Sequence, residues 1–295
     1  MSSSVLYDAP GPKARARNRV YAVLGTVAIA ALLVFVVIRL ADKGQFAGEM
    51  WDIFNYSGIR TSIANGIVST LQAFALAGVL SLVLAVLLVV ARLSEHKPVS
   101  LLATGFIELF RAVPLLITIY VLWVGFFTSE PMWAVVLGLT LYNGAVQAEV
   151  LRAGINAVPK GQSEAAYALG MRKTQVMTTV LIPQAVRSML PTIIGQLVVT
   201  LKDTSLGFVI TYEELLRAGQ LLASNTIVNG DNPYVPMIIV VGAIYIAMCL
   251  VLSAFANWIE RRGRRAKTGI AVAETGAADT LEAPAAPEPP AGKIG

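Results

Sequence analysis

Apolar residues in this chain fall in long runs rather than at the two-residue period of a strand or on one face of a surface helix. The runs cover Val20 to Ile38, Ile63 to Ala91, Ser100 to Phe127, Met132 to Ala148, a stretch after Pro191, and Val235 to Ile259. A helix needs about 20 mostly apolar residues to cross a hydrocarbon core roughly 30 Å thick. The pattern therefore predicts an all-α membrane protein with six transmembrane helices. The first run is too long for a signal-peptide core and lacks a small-residue cleavage site, so it is expected to be retained as a span. Pro114 lies inside the third run and predicts a helix start or kink there. The fifth span is expected to start at Pro191, which puts Lys202 about 16 Å along it, near the middle of the core.

Between the runs lie polar connections. Arg39 to Arg60 carries Trp51 and Tyr56, aromatics suited to an interface or an external loop. Thr211 to Tyr234 contains one helix-like piece, Glu213 to Ala223. With the N-terminus placed inside, sixteen Lys and Arg fall in inside segments; Arg39, Lys43, Arg60 and Arg217 fall outside. This positive-inside bias predicts a cytoplasmic N-terminus, central loop and C-terminus.

Composition agrees with a membrane class: 56% of residues are hydrophobic, 14% are charged and the mean hydropathy is +0.68. The sidedness of Lys and Arg accounts for most of the +5 net charge, so nucleic acid is not called for; anionic headgroups suit the cluster from Arg261 to Lys267. Residues 266–295, rich in Ala, Pro, Gly and acidic side chains, predict a disordered cytoplasmic tail. The single cysteine, Cys249, lies in the sixth span and allows no intrachain disulfide. The single histidine, His96, has no Cys or second His to complete a metal site, and no metal is expected. The chain carries no glycine-rich loop ending in Gly-Lys-Ser or Gly-Lys-Thr. If transport is driven by ATP, hydrolysis must reside on another polypeptide and this chain is not itself an enzyme.

The long polar stretch VPKGQSEAAYALGMRKTQVMTTVLIPQAVR, Val158 to Arg187, lies between membrane-length runs. Ser163 is expected to N-cap a short helix with Glu164 in its first turn, Ala165, Ala166 and Ala168 to support it, and Gly170 to end it in the left-handed conformation. Such a helix is either a slim insert for a groove on a partner or an amphipathic connector on the membrane surface.

The pattern Glu164-Ala165-Ala166, three residues, Gly170, nine residues, then Val180-Leu181-Ile182-Pro183 resembles the ATPase-docking loop of bacterial ABC importer permeases. FIELFRAVPLL, LTLYNGAVQAEVLRAGINAVPKGQSEAA, LIPQAVRSMLP and LKDTSLGFVI look like the permeases of polar amino-acid uptake systems. The basic N-terminal segment with its extra apolar run is similar to the GluD-type permeases of actinobacterial glutamate importers. The resemblance implies a type I permease core over residues 61–265, formed by the last five spans. Residues 1–19 would then be a cytoplasmic tail, and 20–60 an extra first helix with an external connection. It further implies a bacterial cell membrane, a second permease subunit (the same chain or a paralogue), an ATPase subunit carrying ATP and Mg, and an extracytoplasmic amino-acid-binding protein. No cofactor is expected on this chain. Gly161, Glu164, Ala165, Ala166, Gly170 and Pro183 match the coupling motif.

Charges within spans give a second set of candidates. Ionisable groups in hydrocarbon cost about 2.5–3.5 kcal/mol each on insertion scales and normally face a cavity or a partner. Lys202, Asp203, Thr204 and Ser205 are either a polar collar beside a substrate path or a structural pair with its neighbours. Glu108 and Arg111, spaced i and i+3, either join that path or pair and snorkel to the interface. Tyr142, Asn143 and Gln147 suit a polar path or interhelical hydrogen bonds equally. Gly66, Gly78, Gly105, Gly125, Gly138 and Gly144 are expected to serve close helix packing. A rival function is an ion-coupled secondary transporter, to which the Lys202–Asp203 pair is also suited; a gated channel is a third.

Overall fold

The computed structural model describes residues 11–278, with side chains through Ala256 and at Trp258. The expectations for residues 1–10 and 279–295 lie outside the described residues. Among the described residues nearly everything is helical, and the one extended pairing is an isolated antiparallel bridge between Val228 and Asp231.

The helices in order are α1 (Pro12–Asp42), α2 (Ser57–Arg92), α3 (Lys97–Ala112), α4 (Leu115–Phe126), α5 (Pro131–Asn156), α6 (Lys160–Ala168) and α7 (Lys173–Gln175). A π-helix (Val176–Leu181) leads into α8 (Ile182–Asp203), a 3-10 helix (Thr204–Ile210), α9 (Leu215–Asn225) and α10 (Tyr234–Ala278). Five helical stretches are long and apolar enough to cross a membrane, and a sixth is formed if α3 and α4, bent by 100° at their junction, make one span.

Several boundaries differ from expectation for identifiable reasons. The third run is two helices, because Val113 is held extended (ψ 129°) ahead of Pro114, which caps α4. The fourth helix runs past Ala148 to Asn156 and takes Glu149 and Arg152 with it, since both charges find partners. Pro191 lies inside α8 rather than at its start. It gives up one backbone bond, to the Arg187 carbonyl, within a helical path that runs from Lys173 to Ile210. The depth assigned to Lys202 by counting from Pro191 therefore loses its origin. The helix-like piece of the Thr211–Tyr234 segment begins two residues later than expected, at Leu215. Residues 266–278, expected as tail, continue α10 as helix.

The chain divides into two compact units, one of residues 1–67 and 215–243, the other of 68–214 and 244–295. In the first, α1 has no buried residue. Gln45 ties its polar loops, donating from Nε2 to the Asn232 carbonyl (3.0 Å) and accepting from the Val235 amide (3.2 Å). Asn232 in turn donates to the carbonyls of Ala223 and Thr226. Gly66 lies so close to α9 that a Cβ there would stand 2.9 Å from the Leu215 Cα.

The second unit is built around α5, which packs against α3, α4, α8 and the 3-10 helix. In its most apolar stretch 67% of the residues are buried, against none in α1. Two apolar clusters lie along it, one around Ile119, Val135 and Leu139, the other around Ile107, Ala148 and Ala185. With lipid outside rather than water, no hydrophobic gain separates helix contact from lipid contact, and close approach through small residues drives packing. Gly138 accordingly lies against Ile119, Gly144 against Leu84 and Gly154 against Met189. Gly78 has ordinary contacts, whereas Gly105 and Gly125 face open space, so the packing expectation for these two does not hold within the described residues.

A substitution at this contact should be felt. A Cβ on Gly138 would stand 2.5 Å from Ile119 Cγ1 and 3.2 Å from its Cα. Gly138→Leu is expected to destabilise by about 1–3 kcal/mol, the usual range for overpacking. Thermal unfolding of the solubilised protein should show a lowered midpoint, with Gly125→Ala close to the parent protein.

Candidate functional site: an outward coupling helix and two groups of charges

The polar loop forms α6 as a projecting helix. It begins three residues earlier than Ser163 would dictate, with Pro159 as N-cap and Lys160 as first helical residue. Ser163 is therefore not the cap; its hydroxyl donates to the Lys160 carbonyl at 2.8 Å. Glu164 follows in the second turn. The far end behaves as expected: Gly170 has φ +76°. Its amide donates to the Tyr167 carbonyl (2.9 Å) and the Met171 amide to the Ala166 carbonyl (3.2 Å), the paired bonds of a Schellman motif.

Only Ala166 of α6 is buried. Gly161, Glu164 and Ala165 face outward, as do Tyr167 and Leu169, the latter 83% exposed. Two large apolar side chains on a polar loop are a signal that the sequence carried and that reasoning from helix propensity passed over. Behind α6 the π-helix packs against it and delivers Pro183 into the first turn of α8. A proline ring clashes with the carbonyl four residues back, and a π turn at this place widens the helix ahead of it.

The intramembrane candidates separate. Lys202 is exposed and Asp203 half-buried at the last turn of α8, where the helix tightens to 3-10 geometry. Among the described residues neither makes an ion pair. Thr204 is buried and its hydroxyl donates to the Leu201 carbonyl (2.7 Å), while the Ser205 hydroxyl donates to the Lys202 carbonyl (2.8 Å). Both hydroxyls thus serve the helix end.

A family pattern describing the inner membrane component of binding-protein-dependent transport systems matches residues 77–265. The chain belongs to that family. This permease is 40% identical over 241 residues to the glutamate transport system permease protein GluD of Corynebacterium glutamicum, covering 78% of the chain and 86% of the relative. It is 31% identical over 224 residues to the glutamate/aspartate import permease protein GltK of Escherichia coli, covering 71% and 98%. A solved amino acid ABC transporter with histidines superposes with TM-score 0.64 at 31% identity, over 72% of the permease and 97% of that chain. The methionine ABC transporter MetNI in an inward-facing form superposes with TM-score 0.58 at 17% identity, over 70% and 99%, a likeness of fold alone. The resemblance to ABC importer permeases of polar amino-acid uptake, and the type I helical fold, are thereby borne out.

Glu108 and Arg111 of the permease join a different group. Arg92, at the end of α2, pairs with Glu149 and lies 3.5 Å from Glu108. Glu108 also meets Arg111 (3.6 Å), and Arg152 pairs with Glu149 (2.9 Å). This network joins α2, α3 and α5 and includes neither Lys202 nor Asp203. Arg92, Glu149 and Arg152 were not legible as a set, because 57 residues separate Arg92 from Glu149. Deeper in the unit, Gln196 donates to Asn143 Oδ1 (2.8 Å) and Gln147 to the Ser81 hydroxyl (3.3 Å). For Asn143 and Gln147 the structure thus favours interhelical bonding. Glu214, fully buried, accepts a 2.5 Å hydrogen bond from Tyr245; nothing in the sequence told it apart from the exposed Glu213 beside it. No group of three or more His, Cys, Asp or Glu side chains suited to a metal occurs among the described residues.

Exposure ranks the network. Arg92 and Glu149 are each 17% exposed in their side chains, Arg111 41%. Removing one member of a well-buried pair costs about 3–5 kcal/mol, and an exposed pair contributes about 0–1 kcal/mol. Arg92→Met should lower the thermal midpoint clearly and Arg111→Met little; equal effects would contradict the ranking.

Proposed function

We propose that this chain is the membrane permease subunit of an ATP-driven importer of a polar amino acid, with glutamate the favoured substrate. Importer membership follows from the family; glutamate is carried over from the printed activities of GluD and GltK. The observation that carries the ATP-coupled reading is α6: a nine-residue helix with one buried residue, closed by a Schellman motif, with Tyr167 and Leu169 turned outward. A self-powered carrier has no need of such a projection. Gly161, Glu164, Ala165, Ala166, Gly170 and Pro183 are assigned to coupling with an ATPase subunit that carries ATP and Mg.

The working assembly then holds two permease chains, identical or paralogous, two ATPases and an extracytoplasmic binding protein in the cell membrane, with N- and C-termini cytoplasmic. Closure of the ATPases on ATP draws the two docked α6 helices together. The helix bundles then switch access from one face of the membrane to the other.

For the path itself Lys202 and Asp203 are favoured over Glu108 and Arg111. A charge without an ion-pair partner at the end of a membrane helix is costly unless it meets water, substrate or another subunit. Glu108 and Arg111 already have partners. The lysine supplies a positive charge for an acidic substrate.

Two experiments test these assignments. Gly170→Val forces a β-branched residue into positive φ at a cost of about 1–2 kcal/mol. With Glu164→Lys, it should leave membrane insertion intact while reducing ATPase copurification and ATP-dependent glutamate uptake in proteoliposomes. Normal uptake by both variants removes the docking role. Uptake that survives ATP depletion under a held ion gradient would favour the secondary-transporter reading. Separately, Lys202→Met and Asp203→Asn should lose uptake while keeping ATPase binding. Parent-like glutamate transport by both would return the pair to a purely structural role.

A further inference from the structure

Beside the end of α2 that carries Arg92 lies a crevice of about 640 Å³, within the roughly 300–1,000 Å³ range of small-molecule sites. One wall is apolar and comes from the last turns of α2 and from the helix after α7: Leu87, Val90, Met177 and Ile182. The mouth is polar and is formed by Glu95, His96, Arg172 and Lys173. Both halves belong to the same compact unit.

The order of these residues along α2 sets the level of the crevice. The apolar run of α2 stops at Ala91 and the first charge is Arg92. Leu87 stands five residues before that charge, about 7.5 Å back along the helix axis. The crevice therefore begins in the last turn of hydrocarbon and opens where headgroups lie. Leu87 and Val90 are exposed along its wall, so acyl chains have access from the side.

The charge at the mouth favours an anion. Lys173 donates to Glu95 Oε1 at 2.8 Å, and this contact holds the Glu95 carboxyl below its usual range. Arg172, the residue just after the Gly170–Met171 turn, is exposed and makes no ion pair among the described residues. Its planar fork of donors suits phosphate oxygens. Basic pockets between membrane helices at the headgroup level take anionic lipid heads. A soluble anion leaves the apolar wall unfilled, and a neutral lipid leaves Arg172 unneutralised.

We propose that this crevice is a binding site for one anionic phospholipid, its phosphate on Arg172 and Lys173 and its acyl chain along Leu87, Val90, Met177 and Ile182. Glu95 competes with the phosphate for Lys173. Because Arg172 and Lys173 directly follow the turn that ends α6, the lipid braces the base of that helix. The site does not depend on the importer assignment or on which leaflet it faces.

The test uses the full-length chain in phosphatidylcholine nanodiscs doped with spin-labelled phosphatidylglycerol or spin-labelled phosphatidylcholine, without ATP or substrate. The parent protein should retain phosphatidylglycerol selectively. Arg172→Gln should weaken that retention roughly fivefold, the effect of one cation near a headgroup. Val90→Trp, on an exposed wall position, should weaken retention by filling the groove with every charge in place. Glu95→Gln should strengthen retention by freeing Lys173. Equal retention of the two lipids, indifference to both Arg172→Gln and Val90→Trp, or displacement of the lipid by inorganic phosphate would each overturn the proposal. Failure of ATP-driven uptake would leave these readouts untouched.

Discussion

Close backbone approach along α5 is the constraint on which the larger unit depends. In a bilayer, a helix gains little by leaving lipid for another helix unless the two can come near enough for dense contact. Gly138, Gly144 and Gly154 provide that nearness on one helix, toward α4, α2 and α8 in turn. Once α5 is enclosed, its polar side chains have no access to water and must be satisfied by neighbours. Asn143 meets Gln196 of α8 and Gln147 meets Ser81 of α2. Glu149 is held between Arg92 and Arg152. The glycines bring the helices together, and the polar pairs then select which neighbour faces which.

That division explains what could be read in advance. Run lengths and the hydropathy pattern gave the helical membrane class and six spans, because bilayer thickness acts on the sequence locally. The ending of α6 at Gly170 was legible for the same reason: a helix end that needs positive φ names its residue. Features that depend on partners were not. Ser163 looked like an N-cap, but the Pro159–Lys160 step already provides a start with no amide to satisfy at Pro159. Pro191 looked like a first-turn proline, yet the helical path continues through it. Glu149 and Arg152 looked like loop residues until Arg92, far away in sequence, joined them inside a helix end. Among the candidate site residues, those of the coupling loop were found together on one element, whereas the intramembrane charges divided into two groups.

The coupling loop also shows why a fixed spacing recurs between Gly170 and Pro183. The Schellman turn ends α6 and releases the chain in extended form at Arg172 (ψ 155°). A single α-turn and the π-helix then bring it back toward the bundle, and Pro183 enters α8 where its missing amide is harmless. Each of these steps consumes a set number of residues. An insertion or deletion between them would rotate α8 relative to α6 by about 100° per residue, since a turn holds 3.6 residues. Force applied to α6 is therefore delivered through a short helical connection that continues without a flexible linker to Asp203.

The far end of that same path is where Lys202 and Asp203 lie, and their position has a mechanical meaning. After Asp203 the helix narrows to 3-10 geometry, and the hydroxyls of Thr204 and Ser205 hold the carbonyls of Leu201 and Lys202. The narrowed turn is thus fastened by its own side chains, which leaves the two charges without a local structural duty. At the near end, Arg92, Glu149 and their partners tie α2, α3 and α5 beside the base of the loop. One end of the second unit is therefore locked by ion pairs, while the end of α8 keeps its charges free of them. A helix driven from α6 can shift the unpaired end more readily than the paired one, because moving the paired end would separate opposite charges in a partly buried setting. This asymmetry allows one rigid connection both to take up force at the loop and to change the surroundings of Lys202 and Asp203.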